Sequence, residues 1–433
     1  MRKNKIDIIS LGCSKNLVDS EHLIRQFQAN GYSVEHNPSR VDGEIVVVNT
    51  CGFIRDAQEE SIDMILELGR AKKEGKIKKL FVMGCLAERF MAQLTDELPE
   101  VDKFYGKFNW KEMLNDLGKS YKEDLSSERY LTTPKHYAYL KISEGCNRFC
   151  AFCAIPLITG RHKSVPMDTL LNEVKHLVSQ GVKEFNVIAQ DLSSYGLDLY
   201  GKMMLPELID QMAQIEGVEW IRLHYAYPTQ FPYDILPVMA KHDNVCKYLD
   251  IALQHSSNKV LNNMQRHITK AETIELIKRI RKEVPGIHIR TTLMVGFPGE
   301  GEEEFRDLVD FVEEMRFERM GAFAYSEEEG TFAAKHFDDI IPEDVKADRL
   351  DKIMEIQEEI SDEIQSKKVG NVYKVIIDSV DEMYYSGRTE WDSPEVDPEV
   401  LIPVENSKLE IGNFYQVEIT DATPFELFGK VVG

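Results

Sequence analysis

The sequence predicts an α/β protein in three parts: an amino-terminal doubly wound parallel sheet, a central partial (β/α)6 barrel and a small antiparallel β-barrel at the carboxyl end. Three observations lead to this fold class. Strand-like and helix-like segments alternate over the first 120 residues, six further strand–helix repeats follow, and after residue 369 the pattern changes to short strands separated by turn residues. A chain of 433 residues is also too long for one ordinary core.

The amino-terminal part, residues 1–120, reads as parallel βαβ units. The predicted strands and the helices that follow them lie near 5–11 and 16–29, 44–49 and 56–73, and 79–84 and 86–97. One cysteine stands just past each strand, at Cys13, Cys51 and Cys85. Because the carboxyl ends of parallel strands meet at one edge of a sheet, we expect these three thiols to converge there.

The central and carboxyl-terminal parts are separated from the first by a polar stretch, residues 121–136, that reads as a linker. We place the barrel domain at 132–365, with an acidic connecting helix near its end, and the small β-barrel at 366–433. The six predicted barrel strands are 136–143, 183–190, 219–227, 248–254, 288–297 and 320–326. The five predicted strands of the tail are 372–380, 384–390, 400–404, 413–420 and 427–433.

The charge of the chain is −22 and is unevenly distributed. Residues 1–120 are nearly balanced, with 18 Lys+Arg against 19 Asp+Glu, whereas residues 300–365 carry 7 against 23 and residues 369–433 carry 4 against 13. Such a tail disfavours a nucleic-acid surface; it is either a solvated acidic face or a docking surface for a basic protein. With no apolar stretch near the roughly 20 residues of a membrane span and no signal-peptide pattern, we expect a cytoplasmic protein without membrane partners.

The most specific chemical motif is GCNRFCAFC, in which Cys146, Cys150 and Cys153 form a C-x3-C-x2-C run after the first barrel strand. Active sites of such barrels lie on this face. An alternative interpretation of this run is a zinc knuckle. Structural zinc sites, however, normally present four ligands in pairs, and nothing nearby in the sequence completes such a set. A 4Fe–4S cluster held by only three thiolates keeps one iron open to a reactant.

This motif in a partial barrel resembles the radical S-adenosylmethionine superfamily, and the wider sequence resembles its methylthiotransferases. GCSKNLVDSE, NTCGFIRDAQEESI and GCLAERF resemble the amino-terminal domain of that family, KISEGCNRFCAFCAIP, IAQDLSSYGLDLY and MVGFPGE its barrel, and the tail its TRAM domain. Two positions depart from the family pattern, Val165 after Ser164 and Gly301 after GFPGE. Both departures leave the six cysteines in place.

The resemblance implies two 4Fe–4S clusters and S-adenosylmethionine as cofactors. Cys146, Cys150 and Cys153 would hold the cluster that binds S-adenosylmethionine, while Cys13, Cys51 and Cys85 would hold an auxiliary cluster that carries sulfur. The glycines of GFPGE, Gly296 and Gly299, would let the backbone approach the adenosyl group. The resemblance names no catalytic acid or base. The lone Cys246 reads as a buried core residue.

Within the family, GCSKNLVDSE, QDLSSYG and GRTEWDSPEVDPEV favour the members that methylthiolate the β-carbon of an aspartate in small-subunit ribosomal protein twelve. The alternative is a methylthiotransferase of tRNA adenosine, which the acidic tail makes less attractive. A third reading is an iron–sulfur scaffold or electron carrier without radical chemistry. The expected partners are therefore the ribosomal protein, as substrate, and a reductant such as flavodoxin or ferredoxin.

Polar residues at the ends of the barrel strands are weaker candidates for the reaction centre, because each is equally explained as a hydrogen-bonded rim residue. They are Glu144, Gln190, Asp191, His224, Tyr225, Gln254, His255 and Tyr325.

Overall fold

The computed structural model describes residues 2–406 and 408–432, and the predicted fold class is confirmed. Met1, which opens the first predicted domain, and Gly433, which ends the last predicted strand, lie outside the described residues. Over the described chain, no helix has both the length and the apolar character that a membrane crossing requires.

The amino-terminal part is a five-stranded sheet in which every neighbouring pair is parallel. Its strands, in the spatial order β2-β1-β3-β4-β5, are β1 (Arg2–Ser10), β2 (Ser33–His36), β3 (Gly43–Thr50), β4 (Lys79–Gly84) and β5 (Lys103–Phe104). Its helices are α1 (Ser14–Ala29), α2 (Arg55–Lys73), α3 (Cys85–Glu97) and α4 (Trp110–Asp116). The strands β2 and β5 add an edge on each side of the three predicted strands.

Helices cover both faces of this sheet, as a doubly wound fold requires. Alternate residues of β3 reach opposite faces: Val47 packs in one core with Phe27 of α1, while Val48 packs in the other with Leu68 of α2. The helices therefore cover the two faces of the sheet but not the edge at which β1, β3 and β4 end.

The central part is an open barrel of six parallel strands. Together with a short antiparallel pair, its strands are β6 (Tyr137–Lys141), β7 (Ser143–Glu144), β8 (Lys163–Ser164), β9 (Glu184–Ile188), β10 (Trp220–Ala226), β11 (Val245–Ile251), β12 (His288–Val295) and β13 (Arg319–Ala324). The spatial order is β13-β12-β11-β10-β9-β6, so β6 and β13 are free edges and the barrel does not close.

Helices surround this barrel and form the largest core of the chain with the outward-facing strand residues. They are α5 (Ile155–Ile158), α6 (Met167–Ser179), α7 (Leu197–Tyr200), α8 (Leu205–Ala213), α9 (Ile235–Lys241), α10 (Asn258–Asn263), α11 (Lys270–Glu283), α12 (Glu302–Met315), α13 (Phe332–His336) and α14 (Glu343–Ser366). The acidic helix α14 belongs to this layer, because its Ile353, Ile356 and Ile360 are buried in the barrel core.

The carboxyl-terminal part is a closed five-stranded barrel. Its strands are β14 (Val372–Val380), β15 (Tyr384–Arg388), β16 (Glu399–Pro403), β17 (Phe414–Ala422) and β18 (Glu426–Val431), in the order β14-β15-β16-β18-β17. All neighbouring pairs are antiparallel except β16 and β18, which are parallel.

A segment of the tail, residues 389–397, joins the small barrel to the amino ends of the large barrel's strands. Asp392 accepts hydrogen bonds from Arg319 at the start of β13, and Asp397 pairs with Arg290 of β12. Just before the segment, Arg388 donates to Glu184 at 2.7 Å. The two barrels are thus connected by buried ion pairs at the end opposite the cysteines.

Candidate active site: six cysteines on one cavity

The three amino-terminal cysteines lie side by side at the carboxyl edge of the first sheet. Cys13 precedes α1, Cys51 follows β3, and Cys85 begins α3 directly after β4. The chain passes closely here, since a Cβ on Gly12, whose φ is +88°, would stand 2.7 Å from the Cβ of Cys51. Only glycine permits both that backbone angle and that approach. The predicted convergence of the three thiols is therefore realised by adjacent parallel strands.

The three barrel cysteines lie on the loop between β7 and α5. Backbone hydrogen bonds fix this loop: the amide of Cys153 donates to the carbonyl of Cys150 at 3.0 Å, and the amide of Cys146 donates to the carbonyl of Gly160 at 3.1 Å. A third bond from the Ala151 amide to the Met264 carbonyl, at 2.9 Å, ties the loop to the segment after α10. The loop is thus held at the carboxyl face of the barrel.

Both sets of cysteines line the same cavity, of about 340 Å³, between the sheet edge and the barrel mouth. Its lining is Cys13, Lys15, Asn16, Cys51, Phe53, Cys85, Lys107, Cys146, Arg148, Cys150, Phe152, Cys153, Ile155, Gln190, Tyr225, Ala226, Tyr227, Ala252, Gln254 and Arg266. The six thiols therefore face one common cavity rather than two separate ones.

Several of the thiol sulfurs have polar neighbours that orient them. Arg266 donates from Nη1 to Sγ of Cys150 at 3.3 Å, and the Tyr227 hydroxyl lies 3.5 Å from the same sulfur. The Cys85 thiol instead donates, because its sulfur lies 3.5 Å from Oδ1 of Asn16, an acceptor oxygen. The Arg266 donor stabilises the thiolate form of Cys150, which is the form that binds a metal.

Burial raises the pKa of four of these thiols. It raises the pKa of Cys85 to about 12 although Lys107 acts in the opposite direction, and it raises the pKa of Cys146 to about 11. The pKa values of Cys51 and Cys153 are raised by the same cause. Buried thiols of this kind lose their protons when a metal centre binds them, so cluster binding is coupled to proton release.

The distances between the sulfurs distinguish a site for a single metal ion from a site for a larger iron–sulfur cluster. A tetrahedral zinc ion holds its sulfurs at about 2.3 Å and therefore within roughly 4 Å of one another. Among the described residues, the group of ligand atoms within 4.8 Å of one another is Asp7, Glu35 and Asp42, and Lys5 forms ion pairs with all three. Neither cysteine triplet is so compact. Thiolates set wider than this suit a 4Fe–4S cluster rather than a single ion, and the assignment of the two cysteine sets to such clusters stays a prediction.

The barrel residues predicted as weaker candidates divide into two groups. Gln190, Tyr225 and Gln254 line the cavity, and Tyr225 and Gln254 have positive φ angles of 65° and 72°. Non-glycine residues in this backbone region are uncommon and concentrate at functional sites.

The remaining candidates are engaged elsewhere. Glu144 pairs with Lys107, and Asp191 accepts a hydrogen bond from Arg148 at 2.7 Å. The others lie outside the cavity lining, with His224 buried inside the barrel, His255 bound to Glu300, and Tyr325 packed against Phe297. These residues support the site's surroundings rather than its surface.

The structure does not bring Gly296 and Gly299 into the lining of the cavity. The space beside Gly296 is taken by the side chain of Lys346, and a Cβ on Gly299 would stand 2.5 Å from Nδ2 of Asn263. Both glycines, one on each side of Phe297 in the sequence, let these neighbouring side chains pack closely against the backbone. Their contact with S-adenosylmethionine stays a prediction.

The sequence reasoning singled out none of the cationic residues of this cavity. Lys15 stands beside Cys13 in GCSKN, and Arg148 stands between two cluster cysteines, so proximity to a cysteine was a usable signal. Lys107 and Arg266 gave no such signal, because only the fold brings them to the site.

Comparison with known families agrees with this architecture part by part. Residues 5–106 match the uncharacterized protein family UPF0004, residues 140–312 match the radical SAM superfamily, and residues 369–432 match the TRAM domain. Among solved structures, the radical S-adenosylmethionine methyltransferase TsrM from Kitasatospora setae has the same fold over 77% of each chain, with a TM-score of 0.57 at 14% identity. Fold and site thus define a radical S-adenosylmethionine enzyme, a class that uses a 4Fe–4S cluster and S-adenosylmethionine.

Curated relatives narrow this class. The ribosomal protein uS12 methylthiotransferase RimO of Parabacteroides distasonis is 64% identical over 432 residues and covers 100% of both chains. RimO of Bacteroides thetaiotaomicron is 63% identical, covering 100% of this chain and 99% of its own. The chain belongs to the RimO family of ribosomal protein uS12 methylthiotransferases.

Proposed function

We propose that Cys146, Cys150 and Cys153 hold the 4Fe–4S cluster that binds S-adenosylmethionine, and that Cys13, Cys51 and Cys85 hold a second, auxiliary cluster. The observation that carries this proposal is the convergence of all six thiols on one cavity. Two clusters held on one cavity would bring the reacting carbon of a substrate close to sulfur, and proximity of this kind supplies much of an enzyme's rate.

The chemistry that the two clusters supply when bound is one-electron cleavage of S-adenosylmethionine and delivery of methylated sulfur to an unactivated carbon. The residues of the chain hold the cysteine sulfurs in place and shield the cavity from water. Arg266 and Tyr227 hold the Cys150 sulfur, while Phe53 and Phe152 add apolar surface to the cavity wall. This wall keeps water away from the reacting atoms.

The proposed substrate is ribosomal protein uS12, modified at the β-carbon of an aspartate. Two observations support this: the curated relatives carry that protein in their names, and the exposed surface of the last third is acidic. Ribosomal proteins lie against RNA phosphates and are correspondingly basic. A balance of −9 over residues 369–433 disfavours tRNA as the substrate.

The electrons for this reaction come from a reductant such as flavodoxin or ferredoxin, in the cytoplasm where ribosomes are assembled.

The cluster assignment is tested by metal content. We expect the Cys13→Ala and Cys146→Ala variants, purified and reconstituted anaerobically, each to retain about half of the iron and sulfide of the parent protein. Cys246→Ala is the matched control, because Cys246 is a buried thiol outside the cavity, and it should retain all of the iron. Full metal in Cys13→Ala would overturn the auxiliary cluster.

The substrate assignment is tested by mass spectrometry of uS12 and of tRNA. In cells that lack the gene, we expect uS12 to lose the mass of one methylthio group while the methylthiolated tRNA adenosines persist. Complementation with the parent gene should restore the modification, and complementation with Cys146→Ala should not. Loss of the tRNA modification instead would overturn the assignment.

A further inference from the structure

Four cationic side chains line the cavity, and three of them are already engaged. Arg148 donates to Asp191, and Arg266 donates to the Cys150 sulfur and to the Ala252 carbonyl. Lys107 pairs with Glu144 at 3.2 Å and with Asp19 at 3.5 Å. These three cations are therefore committed to holding the cavity together.

Lys15 is the fourth cation and differs from the others. It lies in the first turn of α1, its residue is 6% exposed, and its Nζ stands 3.4 Å from the centre of the Tyr225 ring. Within residues 2–406 and 408–432, no carboxylate or carbonyl oxygen forms a hydrogen bond or ion pair with this ammonium. The aromatic ring attracts the cation but offers no acceptor atom.

Asp250, on β11 of the barrel, is an acid near Lys15. Burial raises the pKa of its carboxyl to about 6, while the charges of Arg290 and Lys15 act to lower it. Its carboxylate lies 4.0 Å from Nδ1 of His224 and forms no ion pair with Lys15 in the described part of the chain. Burial of an ammonium group costs free energy unless an anion compensates it. The cavity thus presents a buried ammonium group that has no direct ion-pair partner among the described residues.

The position of Lys15 suits a ligand that spans the cavity. Lys15 belongs to the sheet domain and stands next but one to Cys13, whereas the ring beneath its ammonium belongs to the barrel. Tyr225 has a positive φ of 65° at the point where its ring enters the cavity wall. The ammonium therefore lies at the junction of the two cysteine sets.

We propose that Lys15 binds the side-chain carboxylate of the target aspartate and so selects aspartate over neutral residues. This inference rests on the proposed function. The carboxylate is bonded directly to the β-carbon, so a single ion pair both compensates the buried ammonium and fixes the reacting carbon between the two cysteine sets. Lys15 takes part in no bond making or breaking; it binds and orients the substrate.

A different role would be to balance the negative charge of a thiolate-bound cluster. Lys107 already acts on the Cys85 thiol by charge and lines the same wall. A counter-charge role would change the metal centre itself when Lys15 is removed, whereas a substrate role changes only the affinity for the aspartate. The two roles therefore predict different measurements.

The test compares two enzymes with two substrates. Anaerobic binding of a uS12-derived peptide to the reconstituted enzyme is measured with the native aspartate and with asparagine, its neutral isostere, in that position. We expect the parent enzyme to bind the aspartate peptide about 100-fold more tightly than the asparagine peptide. Lys15→Gln should lose nearly all of this preference and bind the asparagine peptide as the parent does. Lys15→Arg, which keeps the charge, should retain part of it.

Matched controls separate the possible failures. Lys119→Gln removes a lysine that lies 5.3 Å from the Tyr32 ring, away from the cavity, and should leave the preference for aspartate unchanged. Lys15→Gln should also keep the parent's iron content, which a counter-charge role would lower. Lower iron in Lys15→Gln or equal weakening for both peptides would overturn the inference. A parent enzyme that ignores uS12 would instead overturn the proposed function.

Discussion

At the scale of single residues, two buried lysines lie at opposite ends of the barrel. They show two different consequences of burying an ammonium group without an ion-pair partner. Lys15 faces the cavity, where a ligand can reach it. Lys368 follows α14 and lies 5.2 Å from the Trp391 ring, and its Nζ is sealed from solvent without a hydrogen-bond partner in the described part of the chain. Because nothing can enter to compensate it, Lys368 is a cost to stability rather than a binding site.

The stability cost of burying Lys368 depends on pH, and the sign of this dependence follows from the shift of its pKa. Burial lowers the pKa of Lys368 to about 7, against the influence of Asp392, while an unfolded chain restores the ordinary value of 10.5. Between these two values the unfolded state binds the proton and the folded state does not, so the contribution of Lys368 to stability rises with pH across this window. Below about pH 7 the full cost of the buried charge is present.

We therefore expect Lys368→Met to be more stable than the parent by about 1–3 kcal/mol at pH 7, with the difference shrinking toward pH 10. Urea unfolding at several pH values measures this difference. The exposed neighbour Lys367→Met is the control and should follow the parent at every pH. Parallel curves for Lys368→Met and the parent would contradict the burial argument.

At the scale of elements, the sequence predicted what depends on local periodicity. The long strands β3 and β12 and the helix α2 are continuous apolar or amphipathic patterns, and they form where they were expected. The edge strands β2 and β5 were missed because they are short: Ser33–His36 alternates in exposure and Lys103–Phe104 has only two residues. Such strands form because a neighbour in the sheet offers hydrogen bonds, which no local pattern encodes.

The cysteine positions were predictable for a topological reason, while the rest of the cavity was not. Parallel strands bring Cys13, Cys51 and Cys85 to one edge whatever their separation in the chain. The burial of Lys15, by contrast, requires Tyr225 from a different domain. Contacts of this kind depend on how the sheet and the barrel pack together, and a single sequence does not encode that packing in a readable pattern.

The segment 389–397 shows the same limit on a larger element. Its acidic residues read as part of a solvated tail, yet Asp392 is fully buried against Arg319, which lowers the pKa of its carboxyl. Removing one partner of such a buried pair costs more than an exposed pair contributes, because the other charge stays behind. The tail barrel is therefore attached to the large barrel by charges that the composition alone assigns to the surface.

At the scale of the whole molecule, the charges are arranged on two levels. Buried acids such as Asp392 and Glu184 hold the domains together, and the acids left exposed give the last third its negative field. Exposed charges of one sign accelerate association with a partner of opposite sign and lose this effect as salt screens them. The surplus acids are thus suited to attract a basic protein.

Neutralising exposed acids on α14 tests this arrangement. Glu358, Glu359 and Asp362 are exposed, and we expect the triple change to Gln, Gln and Asn to slow association with uS12 about tenfold at low ionic strength. The difference should vanish near 1 M salt, where the screening length is about 3 Å. The matched control removes three exposed acids from α2 in the charge-balanced domain, by Glu60→Gln, Asp63→Asn and Glu67→Gln, and should leave the rate within about twofold of the parent. Equal slowing by both triple variants would mean that total charge, rather than the acidic last third, attracts the substrate.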